Sequence, residues 1–208
     1  MGDVVRAVRA RLPGVPVVVI ENGSDDDTAD LSLRAGATVL RSERGYARAL
    51  AVGFRHAQAA RAPWVLTMDA DGQHPAEAAP SLVAALDQAD LVVWSRFQGV
   101  GGYAVPVARR LAIGALGAWA TWCAGQRLRD VTSGMRAMRP AVFCSFAVDY
   151  PEDVADANVL VRAVRAGWRV REVGVPMRER AGGRSQHDSP AAALFALRMA
   201  WRTWEERL

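Results

Sequence analysis

Four short apolar runs, regularly separated by helical patterns, constrain this chain more than any single motif. "VPVVVI" (15–20), "ATVL" (37–40), "WVLTM" (64–68) and "DLVVWS" (90–95) read as buried strands. The turn "ENGSDDDT" follows the first, and a short helix after it ends at Gly36. "YARALAVGFRHA" then places Tyr46, Leu50, Phe54 and Ala57 on one helical face, and a further helix is expected near 80–88. This rhythm implies an α/β fold: a mostly parallel, Rossmann-like sheet with helices on both faces. The second half is less regular. A helix is expected over 104–124, a loop and short strand over "DVTSGMRAMRP" (130–140), then a helix, a stop at Gly167 and a strand. A basic loop, "RERAGGRSQHDS", leads into a closing amphipathic helix over 190–204.

At 208 residues, with 51% hydrophobic and 23% charged side chains, the chain suits one globular domain over 1–208. It shows no internal repeat, low-complexity tract or clear linker. The least charged stretch, "LAIGALGAWATWCAG" (111–125), is shorter than the roughly 20 residues that span a bilayer. The N-terminus reads as an amphipathic helix rather than a signal peptide. Cys123 and Cys144 form no CxxC pair and fit two core thiols in a reducing cytoplasm. All 26 basic residues are Arg, the usage of a GC-rich, bacterial genome. The net charge of +4 suits anionic partners such as nucleotides, phosphates or a membrane surface, while no helix-turn-helix, zinc-finger or RNA-binding signature points to nucleic acid.

Ligands of open α/β sheets collect beyond the carboxyl ends of the strands. Two polar clusters sit at such ends: Glu21-Asn22-Gly23 and Asp69-Ala70-Asp71. Alternate residues leaving a strand can reach one ion, and carboxylate oxygens suit Mg²⁺ or Mn²⁺. The competing reading is an acidic, solvated turn. An EF-hand is excluded, because Gly72 and Pro80 stand where its loop needs other spacings.

"WVLTMDADGQHPAE" resembles the D-x-D segment of family 2 glycosyltransferases with the GT-A fold, in particular the polyprenyl-phosphate sugar transferases, a dolichol-phosphate mannosyltransferase-like branch. Five further blocks agree in order: "VVVIENGSDDDTAD", "ERGYARALAVGFRHA", "ADLVVWSRF", "RDVTSGMRAMRP" and "GWRVREVGVPMRERAGGRSQ". The resemblance spans nearly the whole chain, with a nucleotide and metal half over about 1–96 and an acceptor half over about 97–208. It implies metal-dependent transfer, with inversion, of a sugar from a UDP- or GDP-linked donor to a polyprenyl phosphate at the cytoplasmic membrane face. Asp69, Asp71 and Gln73 would hold the cation, Glu21, Asn22, Gly23 and Asp69 would border the donor, and Arg184 and Ser185 would lie on a loop closing over it. Arg96, Arg109, Arg110, Ser133 and Arg136 would face the acceptor phosphate. Arg109 and Arg110 also suit the polar edge of a helix, and Arg178, Arg180 and Arg184 a solvated loop. His74 is expected to support the site rather than bind the ion. Trp119 and Trp122 fit core packing or a lipid-facing helix.

Three departures from that family matter. Its members ordinarily open on a strand with a Pro-x-Tyr-Asn-Glu type turn, whereas this chain opens on the next helix, as a late-assigned start or a degraded copy would. The usual Asp-Asp-Gly turn is Glu21-Asn22-Gly23. Asn158 stands where relatives place an acid, which leaves Asp156 or Glu152 as the nearby carboxylates, with Asp71 and Asp156 the expected catalytic pair. The rival readings are a non-catalytic nucleotide-sugar-binding protein and a sugar-phosphate nucleotidyltransferase. The latter would need a Gly-rich phosphate loop that is not seen here.

Overall fold

The computed structural model describes residues 1–24, 26–70, 72, 74–96, 107–174 and 191–207, with the backbone alone at 107–109 and 191–195. Helix α1 (Gly2–Arg11) opens the chain, followed by β1 (Val18–Glu21), α2 (Thr28–Arg34), β2 (Thr38–Arg41), α3 (Tyr46–Ala59) and β3 (Val65–Thr67). Next come α4 (Ala79–Ala84), flanked by 3₁₀ turns at Ala76–Ala78 and Ala85–Asp87, and β4 (Leu91–Ser95). The second half holds α5 (Val107–Ala124), β5 (Arg136–Met138), α6 (Pro140–Val148), α7 (Ala157–Arg165), β6 (Val170–Gly174) and α8 (Ala191–Glu205). All four apolar runs of the first half are strands, so the α/β reading stands.

The sheet differs from the expected one in two ways. Its strands fall into a parallel pair, β1–β2, and a four-stranded sheet of order β3-β5-β4-β6. Within the larger sheet β4 and β6 are parallel, but β5 runs antiparallel to both β3 and β4. The cause lies in the loop ahead of β5. Asp130 is tied to Arg96 just beyond the end of β4, so the chain enters β5 from that end and must run back. Consequently Arg136, the first residue of β5, sits opposite both Thr67 and Val93.

Every residue of β4 is buried, as a strand covered on both faces requires. Leu91 and Val93 enter one core with Phe54, Met138, Phe143, Phe146, Leu160 and Met199. Val92 and Trp94 enter a second with Leu82, Leu86, Met135 and Ala137. Each alternate set points to the opposite face, the period-2 geometry of a strand. Helix α6 has no counterpart in the sequence reading. Its segment is apolar almost all round and lies against α3, so no polar face marks the helical period, and Pro140 at its first position is the one local signal. Among the described residues, no helix is long and apolar enough to cross a membrane.

Candidate active site

Asp69 leaves the end of β3 between His74 and Gly134. Its backbone N–H donates to His74 Nδ1 at 3.0 Å, so that nitrogen is the acceptor and carries no proton. His74 is buried and meets Trp94 edge-on, with ring centroids 5.2 Å apart. The supporting role expected of His74 matches this geometry. Thr67 Oγ1, one turn of the pleat earlier, donates to Gly134 O at 2.9 Å and so pins the loop that approaches Asp69. A methyl at Gly134 would lie 2.5 Å from Asp69 Oδ1 and 2.6 Å from Oδ2. Only the absence of a side chain at Gly134 lets the Asp69 carboxylate stand where it does.

Arg96 follows β4. Its Nε donates to Asp130 Oδ2 at 2.8 Å and its Nη2 to Asp130 Oδ1 at 2.5 Å, while Nη2 also reaches Thr132 Oγ1 at 2.5 Å. Asp130 is fully buried and takes the Arg96 backbone N–H as well. Burial works against the Arg96 charge, but the bonds and charge of Asp130 outweigh it and raise the guanidinium's affinity for its proton. Asp156 and Asp69 act on the same guanidinium from further off.

Arg136 is buried, and its donors turn inward: Nε to Ser133 O at 2.8 Å, Nη1 to Ala155 O and Nη2 to Asp156 O, both at 3.4 Å. Asp156 Oδ1 lies 3.6 Å from Nη2. These contacts bind the loop before α7 to the start of β5. Asn158 braces the same loop, its Oδ1 accepting from the Asp156 N–H and its Nδ2 donating to Val154 O. It therefore shapes the backbone that presents Asp156. Glu152, the other carboxylate considered, is exposed and lies 3.8 Å from Arg48. The Ser133 Oγ is buried without a hydrogen-bond partner among the described residues.

Tyr46, placed by its spacing on one helical face with Leu50 and Phe54, also lies near this cluster. Its phenol is pushed up from its ordinary value, first by loss of surrounding water and then by the Asp69 carboxylate, with Asp156 adding to the effect. The residue is 44% exposed overall, and its ring lies within electrostatic reach of both carboxylates. The sequence signal was its place at the first turn of α3, directly after Gly45 at φ 137°.

At the end of β1, Glu21 Oε1 accepts from the Gly23 and Ser24 N–H groups at 2.6 and 2.5 Å. Those bonds, Ser24 first, hold its carboxyl below the usual range. Gly23 has φ +90°, and Arg44 packs across it while donating to its carbonyl. Asn22 thus stands at the tip of a braced turn. Arg110 is exposed at the start of α5; Arg109 is placed there by its backbone alone. Asp71, Gln73, Arg184 and Ser185 lie outside the described residues. For a divalent cation, Asp69 supplies a hard oxygen donor on a fixed backbone, the kind of ligand Mg²⁺ and Mn²⁺ take. No cluster of three or more His, Cys, Asp or Glu occurs among the described residues, and the other expected ligands, Asp71 and Gln73, lie outside them.

Residues 2–143 match the sequence profile of glycosyl transferase family 2. An uncharacterised glycosyltransferase of Mycobacterium bovis is 34% identical over 207 residues, covering 94% of this chain and 89% of that protein. A dolichyl-phosphate hexose transferase of Haloferax volcanii is 29% identical over 211 residues, covering 100% and 90%. The crystal structure of glucosyl-3-phosphoglycerate synthase from Mycobacterium tuberculosis, in complex with Mn²⁺ and UDP-glucose, superposes with a TM-score of 0.68 at 17% identity, over 99% of this chain and 74% of that one. The chain belongs to glycosyltransferase family 2, has the GT-A fold, and is similar to that family's polyprenyl-phosphate sugar transferases.

Proposed function

We propose that this glycosyltransferase moves a hexose from a nucleoside-diphosphate sugar to a polyprenyl phosphate, with inversion at the sugar carbon. The observation that carries the reading is the convergence of Asp69, Tyr46, Arg96 and Asp156 at the carboxyl ends of β3 and β4, where a diphosphate donor and a phosphate acceptor can meet. The Haloferax volcanii relative is named for a dolichyl-phosphate acceptor, which supports the lipid class.

An acceptor phosphate oxygen attacks the anomeric carbon, the bond from that carbon to the donor diphosphate breaks, and the nucleoside diphosphate departs with the electron pair. The phosphate is already ionised at neutral pH and needs little help from a base. Asp156, held by Arg136 and Asn158, then serves to orient the incoming group. Arg96 is fixed by Asp130 through Nε and Nη2, and its Nη1 edge would face the acceptor phosphate; Ser133, Arg109 and Arg110 are the other acceptor contacts of this reading. Arg136 acts by positioning rather than by touching the acceptor. The braced Glu21-Asn22-Gly23 turn borders the nucleotide, and Arg184 and Ser185 would contact the donor. Asp69, Asp71 and Gln73 would hold Mg²⁺ or Mn²⁺. Bound there, the cation supplies charge neutralisation on the departing diphosphate. Residues 1–208 work as one domain, on the cytoplasmic side and peripheral to the membrane.

Calorimetric titration of the chain with UDP and GDP, with and without Mn²⁺, tests the donor half. Transfer of radiolabelled hexose from the nucleotide that binds to a short-chain polyprenyl phosphate tests the acceptor half. Metal-independent binding would refute the cation site. Donor hydrolysis without transfer to any polyprenyl phosphate would refute the acceptor.

A further inference from the structure

Half of the large hydrophobic side chains exposed on the described surface belong to two packed helices. On α5 these are Leu111, 67% exposed, and Trp122, 53% exposed; on α8 they are Leu197, 69%, and Trp201, 63%. Gly114, Ala115 and Ala118 are exposed as well. Residues 111, 115, 118 and 122 recur at the spacing of one helical face, and no charged side chain interrupts α5 from Leu111 to Ala124. The opposite face of α5 is buried, through Ile113, Ala120 and Cys123. A helix with an apolar face turned outward as well as inward has a second apolar neighbour to meet.

The stripes of the two helices are contiguous. Trp204 of α8 stacks on Trp122 with ring centroids 5.5 Å apart, and Leu197 and Trp201 lie about 20° and about 60° round α8 from it. Trp119 Nε1 donates to Ala200 O at 3.0 Å, which locks α5 to α8. The Arg207 guanidinium caps the Trp122 ring at 3.7 Å. The two helices are therefore joined into one continuous platform. Its charge is net positive: the two helices hold Arg109, Arg110, Arg198 and Arg202 against Glu205, Glu206 and Arg207 follow, and Arg202 is paired with Asp153 and Glu205.

We propose that the outward face of α5 and α8 is the surface by which the protein docks on an anionic lipid membrane. Indole rings with leucines beside them suit the boundary between headgroups and acyl chains, and flanking arginines suit anionic headgroups. The inference deepens the lipid-acceptor reading and rests on it: a polyprenyl phosphate is held in a bilayer, so the enzyme must meet it there. Cosedimentation of the full chain with vesicles of equimolar phosphatidylglycerol and phosphatidylcholine is the test. The chain should pellet with them, and less with phosphatidylcholine alone or at high salt. Trp122→Ser with Trp201→Ser should weaken binding about tenfold or more. Leu111→Gln with Leu197→Gln, which touches no aromatic stack, should do likewise with an unchanged circular dichroism spectrum. The proposal falls if the natural chain stays in the supernatant, or if both double variants pellet as it does. It falls equally if the chain dimerises through this face, and the variants merely become monomeric. Turnover of a water-soluble short-chain acceptor is independent of vesicle binding. Its absence would refute the acceptor reading, while the sedimentation result judges the docking face.

Discussion

Gly134→Ala isolates the position of one carboxylate from the stability of the fold. The new Cβ would lie 2.5 Å from Asp69 Oδ1, 2.6 Å from Oδ2 and 2.8 Å from Cγ. Carbon and oxygen come to rest near 3.3 Å, so the carboxylate must retreat by about 0.8 Å. The loop cannot take up the strain, because Thr67 Oγ1 holds Gly134 O at 2.9 Å and Arg136 follows in register with Thr67 and Val93. The Asp69 side chain can swing, which is cheap for folding. Replacing glycine where an L-residue is allowed adds up to about 1 kcal/mol by restricting the unfolded chain, so net stability should stay within about 1 kcal/mol of the parent. That is a Tm change of about 2–4 °C for a chain of this size. A displacement near 1 Å at a reacting centre costs about 100-fold. The expected result is a fall of about 100-fold in Mn²⁺-dependent donor hydrolysis, followed by nucleotide release, with Mn²⁺-dependent nucleotide binding weakened and Tm nearly constant. Hydrolysis within threefold of the parent would show that Asp69 need not stand where it does. A Tm loss above about 10 °C would show that the backbone moved instead.

Other expectations are simpler to test. Asp130→Asn leaves the almost wholly buried Arg96 charge without its partner and should cost about 3–5 kcal/mol in urea unfolding; a change below about 1 kcal/mol would refute the pairing. Tyr46→Phe keeps the ring and removes the O–H donor beside Asp69, so turnover should fall about tenfold to 100-fold with Tm unchanged. Asp71→Asn should abolish metal-dependent hydrolysis, and an unchanged rate would remove that residue from the cation site. The Arg169 guanidinium and N–H hold the Asp90 carboxyl below its ordinary 3.8. A lowered folded value contributes stability that is present above about pH 4 and lost as pH falls through it. Asp90→Asn should thus be less stable at neutral pH and lose less on acidification; parallel stability–pH curves would contradict this.

Much of the fold was legible because the first half keeps a strict local rhythm. Val18–Ile20, Thr38–Leu40, Val65–Thr67 and Leu91–Ser95 are apolar runs bounded by turn residues, and local pattern suffices for those. Helix α6 was not legible, since its exposed face, Ala141, Ser145 and Val148, is nearly as apolar as its buried one, which erases the polar period. Tyr46 was legible only as a member of one helical face. Its spacing places it on the packing face of α3, but the face ends at the carboxylates, and spacing cannot say where a face ends.

By itself the sequence determined which chemistry the chain can offer: carboxylates after the third strand, guanidinium groups after the fourth and around β5, and a glycine turn after the first. Local runs and strand ends are properties of a few adjacent residues. Only the tertiary structure decided how those groups meet. Because β5 runs antiparallel between β3 and β4, the loop before it, rather than the one after it, reaches the end where Asp69 and Arg96 stand. The same packing turned Arg136 inward onto Asp156 and clamped Arg96 on Asp130. Strand direction and side-chain partners depend on contacts between residues far apart in the chain, and no short stretch of it encodes them.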